Sequence, residues 1–172
     1  QYTQLIARRL RELNFYCEIF PYNKFPQSVP VKAVILSGSP FSVLDPQALP
    51  FDPDTVIGKY PVLGICYGAQ LTAKRFGGIV AKSNKREYGR AILQKTMDDA
   101  LLSGVAKESQ VWMSHSDTIK ELPEGFELLA TTESIPVAAF KKNGSDTNPL
   151  YGVQFHPEVY HSKEGKKIIT NF

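Results

Sequence analysis

The segment Gly64-Ile65-Cys66-Tyr67-Gly68 places a cysteine between two glycines, after the apolar run Val62 to Ile65 and before a helix-like run, Ala69 to Phe76. A cysteine at a strand-to-helix bend has the logic of the nucleophile elbow, with sulfur in place of oxygen. The glycines let the backbone turn sharply and pass close to its neighbours. The helix that follows aims its free N–H groups and positive end at the sulfur, which favours the reactive thiolate. The competing reading is a buried structural cysteine. A nucleophile also needs a base, and Phe155-His156-Pro157-Glu158 follows the strand-like run Leu150 to Phe155. His156 at a strand end suits that role, and Glu158 is placed to orient its imidazolium. Pro157 fixes φ and stiffens the link. Alone, His-Pro-Glu also suits an ordinary turn; with the elbow, each at a strand end, the two segments support one another.

Other residues compete for attention. Val111-Trp112-Met113-Ser114-His115-Ser116-Asp117 reads as a core strand leading into a hydrogen-bonded turn. His115 is a second candidate base there, and His161, in a polar and exposed-looking stretch, is a third. Spacing does not choose among them. Cys17 lacks an elbow and is assigned to packing.

The elements that must position these groups alternate along the chain. Ile6, Leu10 and Leu13 form a helical stripe within Thr3 to Leu13, and its basic residues Arg8, Arg9 and Arg11 read as a solvated face. Tyr16 to Phe20 alternates like a strand. Ala33 to Leu36 and Val62 to Ile65 read as strands buried on both faces. Prolines 40, 46, 50 and 53 break up the connection between them. Short strand-like pieces follow: Ala91 to Leu93, Val111 to Met113, Phe126 to Ala130, Val137 to Phe140 and Leu150 to Phe155. Lys166 to Phe172 reads as a helix. The pattern is an α/β layer with a parallel core, followed by shorter strands.

Composition narrows the class. The chain has 172 residues, 42% hydrophobic and 22% charged, enough for one sizeable core in a single domain. A net charge of +3 gives no argument for nucleic acid or an anionic membrane. No apolar stretch approaches the roughly 18 residues of a membrane span. Two cysteines make no disulfide framework, so a reducing, cytoplasmic setting is expected.

Gly64-Ile65-Cys66-Tyr67-Gly68-Ala69-Gln70 together with Phe155-His156-Pro157-Glu158 closely resembles the class I (triad) glutamine amidotransferases. Three further stretches resemble the glutaminase domains of GMP synthetases within that family: Gln1 to Arg9, Arg86-Glu87-Tyr88-Gly89 and Trp112-Met113-Ser114-His115. The resemblance implies an α/β fold, an open, twisted, mainly parallel flavodoxin-like sheet with helices on both faces and additional short strands in the C-terminal half. It implies one amidotransferase domain over residues 1–172, lacking its first strand and a downstream synthetase domain. By the resemblance Cys66 attacks the side-chain amide of glutamine to give a thioester and ammonia. His156 then serves as acid and base, oriented by Glu158. Backbone N–H groups of Ser39 and Tyr67 match the oxyanion donors. Gln70, Ser116 and Asp117 match positions that hold the α-amino and carboxylate groups of glutamine, and Gly38 lines the same pocket.

The implied partner is an ATP-pyrophosphatase synthetase domain, in the same chain or on a separate one, that uses the ammonia to aminate xanthosine 5′-phosphate. No cofactor or metal is expected in this domain; ATP and magnesium belong to the synthetase. The family commonly has glycine where this chain has Ser39 and Ser116, and both serines are expected to keep an ordinary negative φ. Three other readings share some of these features. They are the glutaminase component of another class I amidotransferase, a different thiol hydrolase on a similar fold, and a non-enzymatic module. Intact Cys66, His156 and Glu158 argue against the last.

Overall fold

Val62-Leu63-Gly64-Ile65 is apolar throughout because it is covered on both faces, as strands at the centre of an α/β sheet are. It forms β2, flanked in parallel by β1 (Val34–Leu36) and β7 (Leu150–Val153). The computed structural model describes residues 2–26, 28–46, 48–144 and 147–172, and the side chains of these except at 84–87. Gln1 and the side chains of Arg86 and Glu87, part of the stretches singled out above, therefore lie outside the described residues.

The remaining strands extend one sheet. They are β3 (Ile79–Lys95), β4 (Glu108–Glu121), β5 (Phe126–Thr131) and β6 (Ala139–Lys142), and the seven run in the order β1-β2-β7-β6-β5-β3-β4. Helix α2 (Tyr67–Arg75) lies on one face, where Ala69 and Ala73 join Ile119, Val137 and Phe140. Helices α1 (Thr3–Glu12) and α3 (Gly165–Asn171) cover the other, where Ile6 and Ile168 pack with Leu63, Ile65 and Val153. Alternate residues of β2 thus serve the two faces. No helix among the described residues is long and apolar enough to cross a membrane.

The α/β class and the helices on both faces match the sequence reading, but the sheet is mixed, not mainly parallel. Only β1–β2 and β2–β7 run parallel; the other pairs are antiparallel. The reason is length. The pieces Ala91 to Leu93 and Val111 to Met113 are fragments of β3 and β4, strands of 17 and 14 residues that pair almost end to end. Polar residues on their exposed face interrupt the apolar runs by which strands are recognised. Ser114 to Asp117, expected in a turn, is interior to β4. Tyr16 to Phe20 forms no strand: no described residue pairs with it, and Tyr16 is 88% exposed. Alternation alone does not make a strand without a neighbour to share its hydrogen bonds.

Candidate active site

The parallel register explains why distant residues meet. Leu36 pairs with Gly64, so Gly38 and Cys66, each two residues on, leave the same carboxyl edge. Ile65 pairs with Val153, so His156 leaves that edge beside Cys66. Carboxyl edges of parallel strands are where open α/β sheets keep their sites.

Cys66 sits at φ 52°, ψ −104°, a conformation that costs an L-residue energy and persists only where the surroundings enforce it. Three contacts do so. Its N–H donates to Val153 O at 2.8 Å, its carbonyl accepts from Gln70 N–H at 3.0 Å, and α2 begins immediately after it. The two glycines of the elbow have separate duties. A Cβ on Gly64 would stand 2.7 Å from backbone atoms of Gly68 and Ala69, and one on Gly68 would stand 2.3 Å from Leu36 O. The first lets the opening turn of α2 lie on β2; the second lets it lie on β1. The sulfur is 3.7 Å from Ser114 O and 3.9 Å from Gln154 Nε2.

His156 is fully buried, and its Nδ1 pairs with Glu158 Oε1 at 2.7 Å. Its backbone is clamped on both sides: its N–H donates to Trp112 O at 2.9 Å, and its carbonyl accepts from Ser162 Oγ at 2.6 Å. Ser162 Oγ also accepts the Trp112 N–H at 3.0 Å, so one hydroxyl ties β4 to the histidine. Glu158 is held through its carbonyl by Arg9 Nε at 2.9 Å, and the Tyr2 ring stands edge-on to His156 at 5.0 Å. Burial alone would pull the imidazole pKa down; hydrogen bonding and charge from Cys66, then from Glu158, outweigh it and raise it to about 9. Nε2 is buried and makes no hydrogen bond of good geometry among the described residues, so the interaction with Cys66 is a loosely aligned one.

A pKa raised on folding carries a definite sign. The extra stability is fully present below the unfolded pKa, near 6.5, and is lost as pH rises through about 9. Its size is on the order of 3 kcal/mol. The difference in Tm between the native protein and His156→Gln is therefore expected to be widest near pH 6 and to close by about pH 9.5. Melting curves across that range check it; a gap that widens with pH would show that the imidazolium does not stabilise the fold.

The other histidines are set apart. His115 is buried, its Nδ1 lies 2.8 Å from Asp117 O, and burial above all lowers its pKa to about 4. It remains neutral and has no carboxylate partner among the described residues. His161 is half-buried by stacking on Trp112 at 4.6 Å, not exposed as its polar surroundings suggest. Cys17 is half-buried away from the site with its sulfur 3.5 Å from Ala7 O, in keeping with a packing role.

Around the sulfur, Gly38 is buried and Ser39 half-buried at the end of β1, with the Ser39 hydroxyl accepting from Phe41 N–H at 3.2 Å. Tyr67 is the first residue of α2, where a backbone N–H has no intrahelical partner. Neither Ser39 nor Ser116 is among the residues of positive φ, so both tolerate a side chain without strain. Gln70 and Asp117 are buried and joined: Gln70 Nε2 donates to Asp117 O at 2.8 Å. Ser116 is exposed between the buried His115 and Asp117, opposite residues 83–86, where β3 bulges away from β4. Gln154, Ser162, Arg9 and Tyr2 were missed by sequence reasoning. Gln154 and Ser162 stand within six residues of His156, a proximity that could have flagged them; Tyr2 and Arg9 lie in the stretch Gln1 to Arg9, which was singled out for its resemblance and given no site role.

A family model for Glutamine amidotransferase class-I matches residues 1–172. The chain belongs to this family. It is 55% identical over 174 residues to a glutamine-hydrolyzing GMP synthase of Porphyromonas gingivalis, covering 100% of this chain and 34% of that protein. It is 57% identical over 175 residues to a glutamine-hydrolyzing GMP synthase of Cytophaga hutchinsonii, with the same coverage. The chain thus spans about a third of the length of the curated relatives it matches. Among solved structures it is similar to one from Thermoplasma acidophilum, described as part of a GMP synthase. There the TM-score is 0.82 at 30% identity, covering 99% of this chain and 86% of that one. A glutamine amidotransferase from Thermotoga maritima gives a TM-score of 0.75 at 25% identity, covering 90% of this chain and 70% of that one.

Proposed function

We propose that this domain hydrolyses the side-chain amide of glutamine and passes the ammonia to a synthetase domain that aminates xanthosine 5′-phosphate to GMP. The observation that carries the reading is Cys66, buried on a strained elbow, beside a buried His156–Glu158 pair. The Cys66 thiolate attacks the amide carbon and the C=O electrons move onto oxygen. N–H groups of Ser39 and Tyr67 receive that charge; donors so placed are worth about 10²-fold or more in rate. The C–N bond then breaks as His156 gives its proton to the nitrogen, releasing ammonia and leaving a thioester. Water, deprotonated by His156, attacks the thioester; glutamate leaves and the thiolate returns. Glu158 keeps Nδ1 protonated and the ring aimed throughout. Gln70, Ser116 and Asp117 hold the α-amino and carboxylate groups of glutamine, with Gly38 forming the wall.

The partner is an ATP-pyrophosphatase synthetase domain that binds ATP and magnesium, so this domain needs no cofactor of its own. That this chain matches 34% of relatives more than 50% identical to it supports a synthetase portion in the same polypeptide. A free catalytic thiol suits a reducing cytoplasm.

A glutamine-like chloroketone or diazoketone tests the chemistry. Mass spectrometry is expected to find one adduct, on Cys66, suppressed by glutamine. Labelling that spares Cys66, or that glutamine does not suppress, would count against the reading.

A further inference from the structure

Asp117 is 2% exposed, and its oxygens are divided in an uneven way. Its backbone carbonyl already accepts from Gln70 Nε2 and lies 2.8 Å from His115 Nδ1. One carboxylate oxygen, Oδ2, accepts from the Ser42 hydroxyl, 75 residues away in sequence. The other, Oδ1, is buried with no hydrogen-bond partner among the described residues. No described cation meets it, Lys82 across the β3–β4 ladder included. A buried carboxylate oxygen left bare is costly, so its vacant lone pairs call for a cationic donor.

Ser42 is itself fixed. Its Oγ accepts the Leu44 N–H at 3.0 Å, and the Val43 carbonyl beside it accepts from Lys74 Nζ of α2. With the hydroxyl held as acceptor from the loop, its proton is directed to Asp117. We infer that Ser42 is a positioning residue: it turns the Asp117 carboxylate so that Oδ1 faces the α-ammonium of glutamine. This rests on the reading of Asp117 given under Proposed function.

The test uses the full-length protein and two ligands, glutamine and glutaramate, which is glutamine with hydrogen in place of the α-amino group. A hydrogen bond to a charged group supports an effect of about tenfold. Ser42→Ala is expected to raise KM for glutamine about tenfold, leave kcat within about threefold, and keep the inhibition constant of glutaramate within about twofold. Ser42→Thr, which restores the hydroxyl, is expected to return KM toward the native value. The tether is overturned if Ser42→Ala leaves the glutamine KM unchanged, or weakens glutaramate as much as glutamine, the mark of a loop that has merely lost its shape. Asp117→Asn separates the two levels. If it raises the glutamine KM while Ser42→Ala does not, only the tether falls; if it has no effect, the reading of Asp117 fails and the tether with it.

Discussion

Cys66→Ala in the full-length protein is expected to abolish ammonia release from glutamine, a loss of at least about 10⁴-fold in kcat, while GMP formation from added ammonium salt persists. The size follows from what the sulfur does. His156 and Glu158 move and stabilise a proton, work that water performs in part when they are altered. No neighbour can replace an atom that carries the acyl group. The described residues near the sulfur are a carbonyl oxygen of Ser114 and the amide of Gln154, neither a nucleophile. The variant is also expected to fold. Alanine bears the same backbone cost at φ 52° as cysteine, and the contacts that enforce the elbow are main-chain bonds of residue 66. Glutaminase and ammonia-dependent assays on one preparation read the two outcomes. Persistent glutamine hydrolysis would remove Cys66 from the mechanism. Loss of both activities with an unchanged melting curve would show that the sulfur also serves the partner reaction.

How much of this was legible beforehand depends on where the information lies in the chain. The elbow is local: two glycines, a cysteine, an apolar strand and a helix are contiguous, and β2 falls on Val62–Ile65, the residues their composition marked. His156 and Glu158 are two residues apart, so their pairing was readable as well. Spacing did not choose His156 over His115, because both follow apolar runs; only the family resemblance did. Both rings are buried, and what separates them is which one meets a carboxylate, a property of the assembled sheet. Ser42 was invisible for a related reason. Its partner Asp117 lies 75 residues away, on a strand reached only after the β3–β4 ladder has formed. That ladder was itself obscured, since its exposed face is polar and its apolar residues appear as isolated threes. The strand expected at Tyr16 to Phe20 shows the converse error: a correct local pattern, with no described neighbour to complete it.

The distribution has a chemical logic. Cys66 and His156, the groups proposed to react, follow closely on short parallel strands whose apolar runs are conspicuous in sequence. Groups that orient those reactants, such as Ser162, Arg9 and Ser42, come from loops and helix faces and use single hydroxyls or side-chain nitrogens. Such residue types are common on any surface, so their roles emerge only from contact.

Gly68→Ala carries the largest expected effect on folding, and its sign has to be argued because two tendencies oppose. Gly68 lies within α2, where alanine is the better helix former by about 1 kcal/mol. The added methyl would stand 2.3 Å from Leu36 O, 2.7 Å from Leu36 Cβ and 2.9 Å from Leu36 C. Two of these are backbone atoms of β1 and cannot swing aside as the end of a side chain would. Relief requires α2 to lift from the sheet, opening packing across its whole buried face. Overpacking of this kind costs about 3 kcal/mol or more, so the clash wins and the net change is destabilising. Gly125→Ala is the informative contrast. Gly125 has φ +77° and nothing within 4 Å of an added methyl, so its cost is conformational only, about 1–2 kcal/mol. Urea unfolding of both variants is expected to rank Gly68→Ala as clearly the more damaging. Lifting α2 also re-aims the Tyr67 N–H proposed as an oxyanion donor, so the glutaminase activity of any folded Gly68→Ala protein should fall further than the folded fraction does. If Gly68→Ala is instead neutral or stabilising, α2 does not need its close approach to β1 for the fold to hold.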